Sequence, residues 1–184
     1  MKATATKRLY LIIVMSASLI AIVTALARSE LGDGTRAILT IALALALSVR
    51  FYYVIGLLTW PPTPLRLALL LAFWCALVNT AWQLADPLAW GTACALLFGI
   101  GITIEIHNLV TRQWEIGSTD FQHTLRNDVF RGIASATFAT IAVLFVIRGW
   151  PAWTPALIGV MIVADVLRLT EMIARHRRIT RSAE

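Results

Sequence analysis

The stretch ALALALSVRFYYVIGLL, residues 42–58, decides the fold of this 184-residue chain. A helix built from it is apolar on nearly every face, yet it carries one arginine, Arg50, near its centre. A helix that is hydrophobic all round lies in a large core or crosses a membrane. Because 59% of the residues are hydrophobic and only 14% are charged, too few polar side chains are available to cover a soluble core. The sequence therefore predicts a membrane protein.

Six apolar runs follow one another along the chain, and an α-helix needs about 20 such residues to cross the hydrocarbon layer. We therefore predict an all-α, polytopic membrane helix bundle that forms a single membrane domain. Its six transmembrane helices are expected at residues 9–27, 37–58, 65–84, 88–106, 132–147 and 155–169. Only residues 85–87 separate the third run from the fourth, which predicts a tight helical hairpin. Thr63-Pro64 and Thr154-Pro155 have the chemistry of helix starts, with threonine as the cap.

A second interpretation applies to residues 1–27. Basic residues, an apolar run and Ala25-Leu26-Ala27 follow one another in the order of a cleavable signal peptide. The apolar run is longer than signal peptides normally have, and the five later spans need no separate export signal. A retained first helix and a cleaved signal both stay open, and the remaining topology is the same in each.

The basic residues lie at the ends of the apolar runs, and short loops rich in lysine and arginine stay on the cytoplasmic side. If the N-terminus is inside, three arginines face outward: Arg28, Arg36 and Arg148. The basic residues that then lie inside are Lys2, Lys7, Arg8, Arg66, Arg112, Arg126, Arg131, Arg175, Arg177, Arg178 and Arg181. We therefore predict a protein of a bacterial-type inner (plasma) membrane, with both termini cytoplasmic and a basic tail at residues 170–184. This distribution does not suit nucleic acid, although the net charge is +6.

Residues 107–131 form the one long cytoplasmic segment between the predicted spans. A break at Gly117 starts a new helix, whose apolar side chains recur every four positions. These are Phe121, Leu125 and Val129. The period predicts one interfacial amphipathic helix at the membrane surface. Helices that bind in a groove of a partner show the same pattern, so residues 118–130 are also a candidate docking site for a cytoplasmic protein.

Arg50 is expected well inside the bilayer, because the helix that enters near Ala37 reaches it after about 20 Å. An arginine that faces lipid costs between about 2.5 and 17 kcal/mol, depending on the method. We therefore expect its side chain to face the bundle and to meet a carboxylate or water. Asp165 and Glu105 are nearest to it in depth, and we expect Asp165 to be the first partner.

A local pairing competes with that bridge. Asp165 and Arg168 are three residues apart, so they can neutralise each other on one helix face. Tyr53, one turn beyond Arg50, is placed to orient the guanidinium. Asn79 and Gln83 share a face of the third span and add hydrogen-bonding capacity between helices. Together these residues and Glu105 form the predicted buried charge network and candidate solute contacts.

Motifs that define a reaction are missing from the sequence. It contains no HExxH, no Walker A loop and no GxSxG elbow. The three histidines lie near the predicted inner surface, which does not suit a haem bundle, and the carboxylates lack metal-ligand spacing. Cys75 and Cys94 lie in apolar runs and are expected to behave as small hydrophobes. We therefore predict no catalytic residue, no metal and no cofactor.

Three functional classes stay open. An ion or solute permease, or a solute-binding transport subunit, uses its intramembrane charges to bind solute. A non-catalytic assembly or scaffolding subunit uses the same charges to hold helices together, and a membrane-embedded lipid-modifying enzyme is the third class. Besides the lipid bilayer, we expect a second copy or other membrane subunits as partners, since so short a chain needs them to enclose a path. The small residues Gly91, Ala95 and Gly99 suit close helix packing.

Overall fold

A computed structural model describes residues 2–30, 34–57, 64–111, 119–150 and 152–182. The described chain is 92% helical and contains no strand, which confirms the predicted all-α bundle. Its six helices are α1 (Lys2–Arg28), α2 (Gly34–Leu57), α3 (Pro64–Trp82), α4 (Pro87–Thr111), α5 (Thr119–Ile147) and α6 (Trp153–Ser182).

In the described part of the chain, five helices are long and apolar enough to cross a membrane. The spans are Arg8–Arg28, Gly34–Tyr52, Pro64–Trp82, Pro87–His107 and Trp153–Glu171. The sixth predicted crossing falls on a shorter apolar segment of α5, Gly132–Ile147, which is about 24 Å long at the standard helical rise. The chain is a multi-pass membrane protein.

The turns at the two described hairpins follow from local chemistry. Between α3 and α4, the Asp86 carboxylate accepts hydrogen bonds from the backbone N–H groups of Leu88, at 2.8 Å, and Ala89, at 3.3 Å. This cap, with Pro87 as the first helical residue, produces the predicted tight hairpin. After α5, Gly149 adopts a φ of 80°, a left-handed conformation that favours glycine at a helix end.

Two long helices differ in extent from their predicted spans. Residues 119–131, expected as a separate interfacial helix, run without a break into the span of α5. Gly132 lies at the junction, where an added Cβ would be 3.2 Å from Ile102 Cγ1, so this glycine allows α5 to approach α4 closely. The basic segment after residue 169, expected as a tail, continues α6 as a helix to Ser182.

The helices pack in a ring. Around it the order is α1, α2, α6, α5, α4 and α3, with α3 returning to α1, and α2 also contacts α3. Successive helices run in opposite directions. We call the end of the bundle where α1 begins and α6 finishes the terminal end. The opposite end, where α3 leads to α4 and α5 leads to α6, is the loop end.

Helix α1 buries one face in the bundle and exposes the other. In α1 the buried residues recur at helical spacing: Tyr10, Val14, Ser18, Ala21 and Ala25. Large apolar side chains such as Ile12, Leu19 and Val23 are more than half exposed on the opposite face. Exposed apolar side chains of this kind suit contact with lipid, which explains why the chain contains so few charges.

Polar side chains in the interior bond from helix to helix. Trp90 Nε1 in α4 donates to Thr40 Oγ1 in α2 at 3.0 Å, and both residues are buried. Ser48 and Ser18 hydroxyls are 2.5 Å apart between α2 and α1. The Thr154 hydroxyl, predicted to cap α6, donates instead to the Ala142 carbonyl of α5 at 3.1 Å. Its cross-helix bond is favoured because the hydrocarbon offers no water as an alternative partner.

The small residues of α4 do not form one packed face. At Gly91 an added Cβ would make ordinary contact with Val143, 3.5 Å away, whereas at Gly99 nothing lies within 4 Å. Among the glycines of α4, the tightest approach is at Gly101, where the added Cβ would be 3.2 Å from Phe73 Cε2. Gly101 therefore sets the spacing between α3 and α4 near the terminal end.

Candidate functional site

Arg50 is held by a carboxylate on another helix. Its Nη2 donates to Glu105 Oε1 at 2.5 Å, which joins α2 to α4. The side chains are 19% and 17% exposed, so the pair is largely but not fully enclosed. Arg50 lies about 24 Å along α2 and Glu105 about 27 Å along α4 from the loop end, which places the two groups at nearly the same depth.

The expected first partner, Asp165, is paired elsewhere, so this part of the prediction is wrong. Arg168 Nη1 lies 3.7 Å from Asp165 Oδ1 on the same face of α6, as in the competing local pairing. Asp165 is only about 18 Å along its helix, roughly one turn short of Arg50. Glu105 matches the depth of Arg50 better and takes its place.

A second buried arginine belongs to the same site. Arg66, in the first turn of α3, is 6% exposed and interacts electrostatically with Glu105 and Tyr10. In the sequence, Arg66 ranks only among the basic residues expected on the cytoplasmic side. Its position gave a usable signal, because Arg66 begins a stripe of buried residues at helical spacing that continues with Leu70, Phe73 and Leu77.

We call Tyr10, Arg50, Arg66 and Glu105 the terminal-end cluster. One helix of α1 to α4 supplies each residue, and all four lie towards the terminal end of the bundle. The described cluster contains two guanidinium groups and one carboxylate. Guanidinium groups cannot lose their proton in proteins, so the two positive charges are permanent.

Phe51, the residue that follows Arg50 in α2, packs within a group of aromatic rings. The Phe51 ring centroid is 5.3 Å from that of Phe73 and 5.2 Å from that of Trp74. Aromatic side chains are apolar, and charge interactions beside such groups are stronger than in water. Trp74 is 2% exposed, and its Nε1–H has no hydrogen-bond acceptor among the described residues.

The remaining predicted residues do not join the cluster. Gln83 Nε2 donates to Asn79 Oδ1 at 3.4 Å near the loop end, and Asn79 is about 20 Å along α3 from Arg66. The side chain of Tyr53 lies outside the described part of the structure, and so do three others: Phe121, Leu125 and Val129.

The described residues bring no three His, Cys, Asp or Glu side chains together in a way that would hold a metal ion. Both cysteines are free thiols, with Cys75 exposed and Cys94 buried. What the cluster offers chemically is therefore charge and hydrogen bonding. Its guanidinium groups can bind an anion, and its carboxylate can exchange a proton.

Fold and cluster together define the class of this chain, a multi-pass membrane bundle with paired charges towards one end. Comparison with protein-family models, with curated proteins and with solved structures finds no match for it.

Proposed function

We propose that the chain is a small ion or solute permease, or the solute-binding subunit of a transport assembly, with the terminal-end cluster as its site. One observation carries the proposal: the ion pair of Arg50 and Glu105 joins two helices and keeps nearly a fifth of each side chain exposed. Charged side chains within spans are rare because they are costly, and they commonly mark solute or ion paths.

The charge of the cluster favours a negatively charged solute. Arg66 adds a second guanidinium within electrostatic range of Glu105. An entering anion gains attraction to both arginines. The arginine fork also fits two oxygens of one carboxylate or phosphate group.

The proposed setting is a bacterial-type inner membrane with both termini in the cytoplasm, so the terminal-end cluster opens towards the cytoplasm. Contacts between α2 and α4, at Arg50–Glu105 and Thr40–Trp90, occupy the interior of the ring. A complete path therefore calls for an interface with a second copy or with other membrane subunits.

Two double variants test the transport proposal. Replacing Arg50 and Glu105 together by leucine removes a pair as a unit, which is often neutral for stability or even stabilising. The matched control replaces Asp165 and Arg168 by leucine and removes the pair of α6. Swelling of proteoliposomes in nitrate, acetate or chloride, with valinomycin to carry potassium, reports anion flux.

We expect anion flux with the native chain. The R50L/E105L variant should lose about tenfold or more of this flux, because removing a required interaction worth about 1.4 kcal/mol lowers a rate about tenfold. The control variant should change the flux by less than about twofold. Both variants should elute from a sizing column like the native protein. Native flux in R50L/E105L would show that the pair does not bind solute, and absence of flux with the native chain would remove the permease assignment.

The second candidate is a non-catalytic assembly subunit. It is favoured by the observation that two described carboxylates within the spans, Glu105 and Asp165, already have an arginine partner, as a structural lock requires. Its working surface would be the predicted docking site at residues 118–130. Leu125→Asp should then release a cytoplasmic partner in a pull-down. The control Gln122→Asp, on the predicted polar face, should retain the partner. Equal recovery of the partner with both variants would exclude this surface.

A further inference from the structure

We propose that the terminal-end cluster binds a monovalent oxyanion together with one proton, and that Glu105 receives the proton. The inference rests on the proposed function for the location of the solute site. It adds the class of solute and the coupling between solute and proton.

The first step concerns the charge of the occupied site. An anion that reaches Arg50 has to share or replace Glu105, whose oxygen lies 2.5 Å from Nη2. A carboxylate displaced from its guanidinium in a low-dielectric site costs several kcal/mol, and such groups neutralise by taking up a proton. With a proton on Glu105 and the anion on Arg50, the site keeps the charge it had before binding.

The second step concerns the hydrogen bonds. Protonated Glu105 becomes an O–H donor, whereas the ionised group only accepts. The anion can then accept from Arg50 and from Glu105 at once, and the adjacent Arg66 adds attraction. The proton comes from bulk water through the exposed part of the pair. Only one O–H bond forms on the protein, and the net uptake is one anion and one proton.

The groups around Glu105 are consistent with this exchange. Arg50 of α2 is bonded to Glu105, and Arg66 of α3 lies within electrostatic range of it. The other described charged or titratable residues towards this end of α1, α2 and α4 include Arg8, Tyr10, Tyr52 and His107. Helix α5 also packs against α4, and its titratable residues at this level are Asp128 and Arg131, whose side chains lie outside the described part. Among the described members, the guanidinium groups outnumber the carboxylate.

A buried donor provides a second, independent observation. The Nε1–H of Trp74 is enclosed, and no described residue accepts its hydrogen bond. Within hydrocarbon an unsatisfied N–H group costs several kcal/mol. The Trp74 ring contacts Phe51, the residue that follows Arg50 in α2.

The test uses the full chain in phosphatidylcholine nanodiscs, with nitrate as a planar oxyanion that does not titrate and acetate as a carboxylate probe. Calorimetry in two buffers of different ionisation enthalpy counts the protons taken up with nitrate. We expect close to one proton per anion, and an affinity that falls about tenfold for each unit of increasing pH where binding protonates Glu105. The Glu105→Gln variant should bind nitrate without proton uptake and without this pH dependence, while Asp165→Asn should match the native chain.

The possible failures are distinguishable. Nitrate binding without proton uptake overturns the coupling and leaves an anion site in place. Unchanged nitrate binding in the R50L/E105L variant, or no binding of either probe to the native chain, overturns the site itself. Repeating the measurement in phosphatidylglycerol nanodiscs identifies the source of the oxyanion. If nitrate still binds in these nanodiscs, the ligand is a soluble anion. If phosphatidylglycerol displaces nitrate with the same proton uptake, the ligand is a lipid headgroup.

Discussion

An arginine inside a membrane bundle has no neutral form to adopt, so its surroundings have to supply the opposite charge. Arg50 and Arg168 obtain the opposite charge from different places. Arg50 reaches across to α4, whereas Arg168, 8% exposed, uses a carboxylate one turn away on its own helix. The interhelical pair links the positions of two helices, and the local pair does not. Only the first therefore contributes directly to the assembly of the bundle.

Individual hydrogen bonds between helices can be tested at the same scale. Thr40→Val removes the acceptor of Trp90 Nε1 in the buried interior. We expect the free energy of unfolding to fall by about 0.6–1.7 kcal/mol, that is, by between the average and the largest value found for hydrogen bonds between membrane helices. Thr92→Val is the matched control, because the exposed Thr92 hydroxyl bonds to the Leu88 carbonyl of its own helix. Equal effects of the two variants in detergent unfolding would contradict the assigned role of Thr40.

The inward direction of Arg50 was predictable from the sequence, because the cost of exposing a guanidinium to lipid does not depend on which fold surrounds it. The partner of Arg50 was not predictable, because the depth of a residue along its own helix does not show which helices are neighbours. Arg66 was missed for a different reason. A basic residue near a span end satisfies the orientation rule whether it is exposed or buried, and only the stripe that it begins separates the two cases.

At the scale of the helices, α5 is unusual because its apolar part is short. About 24 Å of apolar helix has to match a hydrocarbon layer of about 30 Å. Local thinning of the bilayer or association with another subunit resolves such a mismatch. The sequence predicted the bounds of α3 within two residues, because Pro64 marks its start and the Asp86 cap marks the start of α4. It did not predict that α5 and α6 continue beyond the hydrocarbon layer, where polar residues remain compatible with a helix.

The spacing between α3 and α4 provides a second test. Gly101→Leu introduces a side chain where even a Cβ would lie 3.2 Å from Phe73, so the aromatic group beside Arg50 has to shift. Overpacking of this kind costs about 1–3 kcal/mol. Gly99→Leu, at a position with nothing within 4 Å, should leave the free energy of unfolding nearly unchanged. A larger loss for Gly99→Leu in detergent unfolding would show that the two helices pack differently.

At the scale of the whole molecule, the alternating helices place α1's start and α6's end together. Combined with the positive-inside rule, this arrangement predicts which end meets the cytoplasm. In a chain with Cys75→Ser and Cys94→Ala, an impermeant thiol reagent should label Glu30→Cys in intact cells. Ser182→Cys should react only after permeabilisation. Reversed labelling would turn the terminal-end cluster towards the opposite side of the membrane and contradict the proposed orientation.

The partner of Arg50 is tested most directly by a double-mutant cycle, which measures the coupling energy between two side chains from unfolding free energies in detergent. Leucine is introduced at Arg50 and Glu105, singly and together. We expect a coupling energy of about 1.5–3 kcal/mol for this charged hydrogen bond. A parallel cycle of Arg50 with Asp165 should give a coupling within about 0.5 kcal/mol of zero. Coupling of Arg50 to Asp165 and none to Glu105 would contradict the site described.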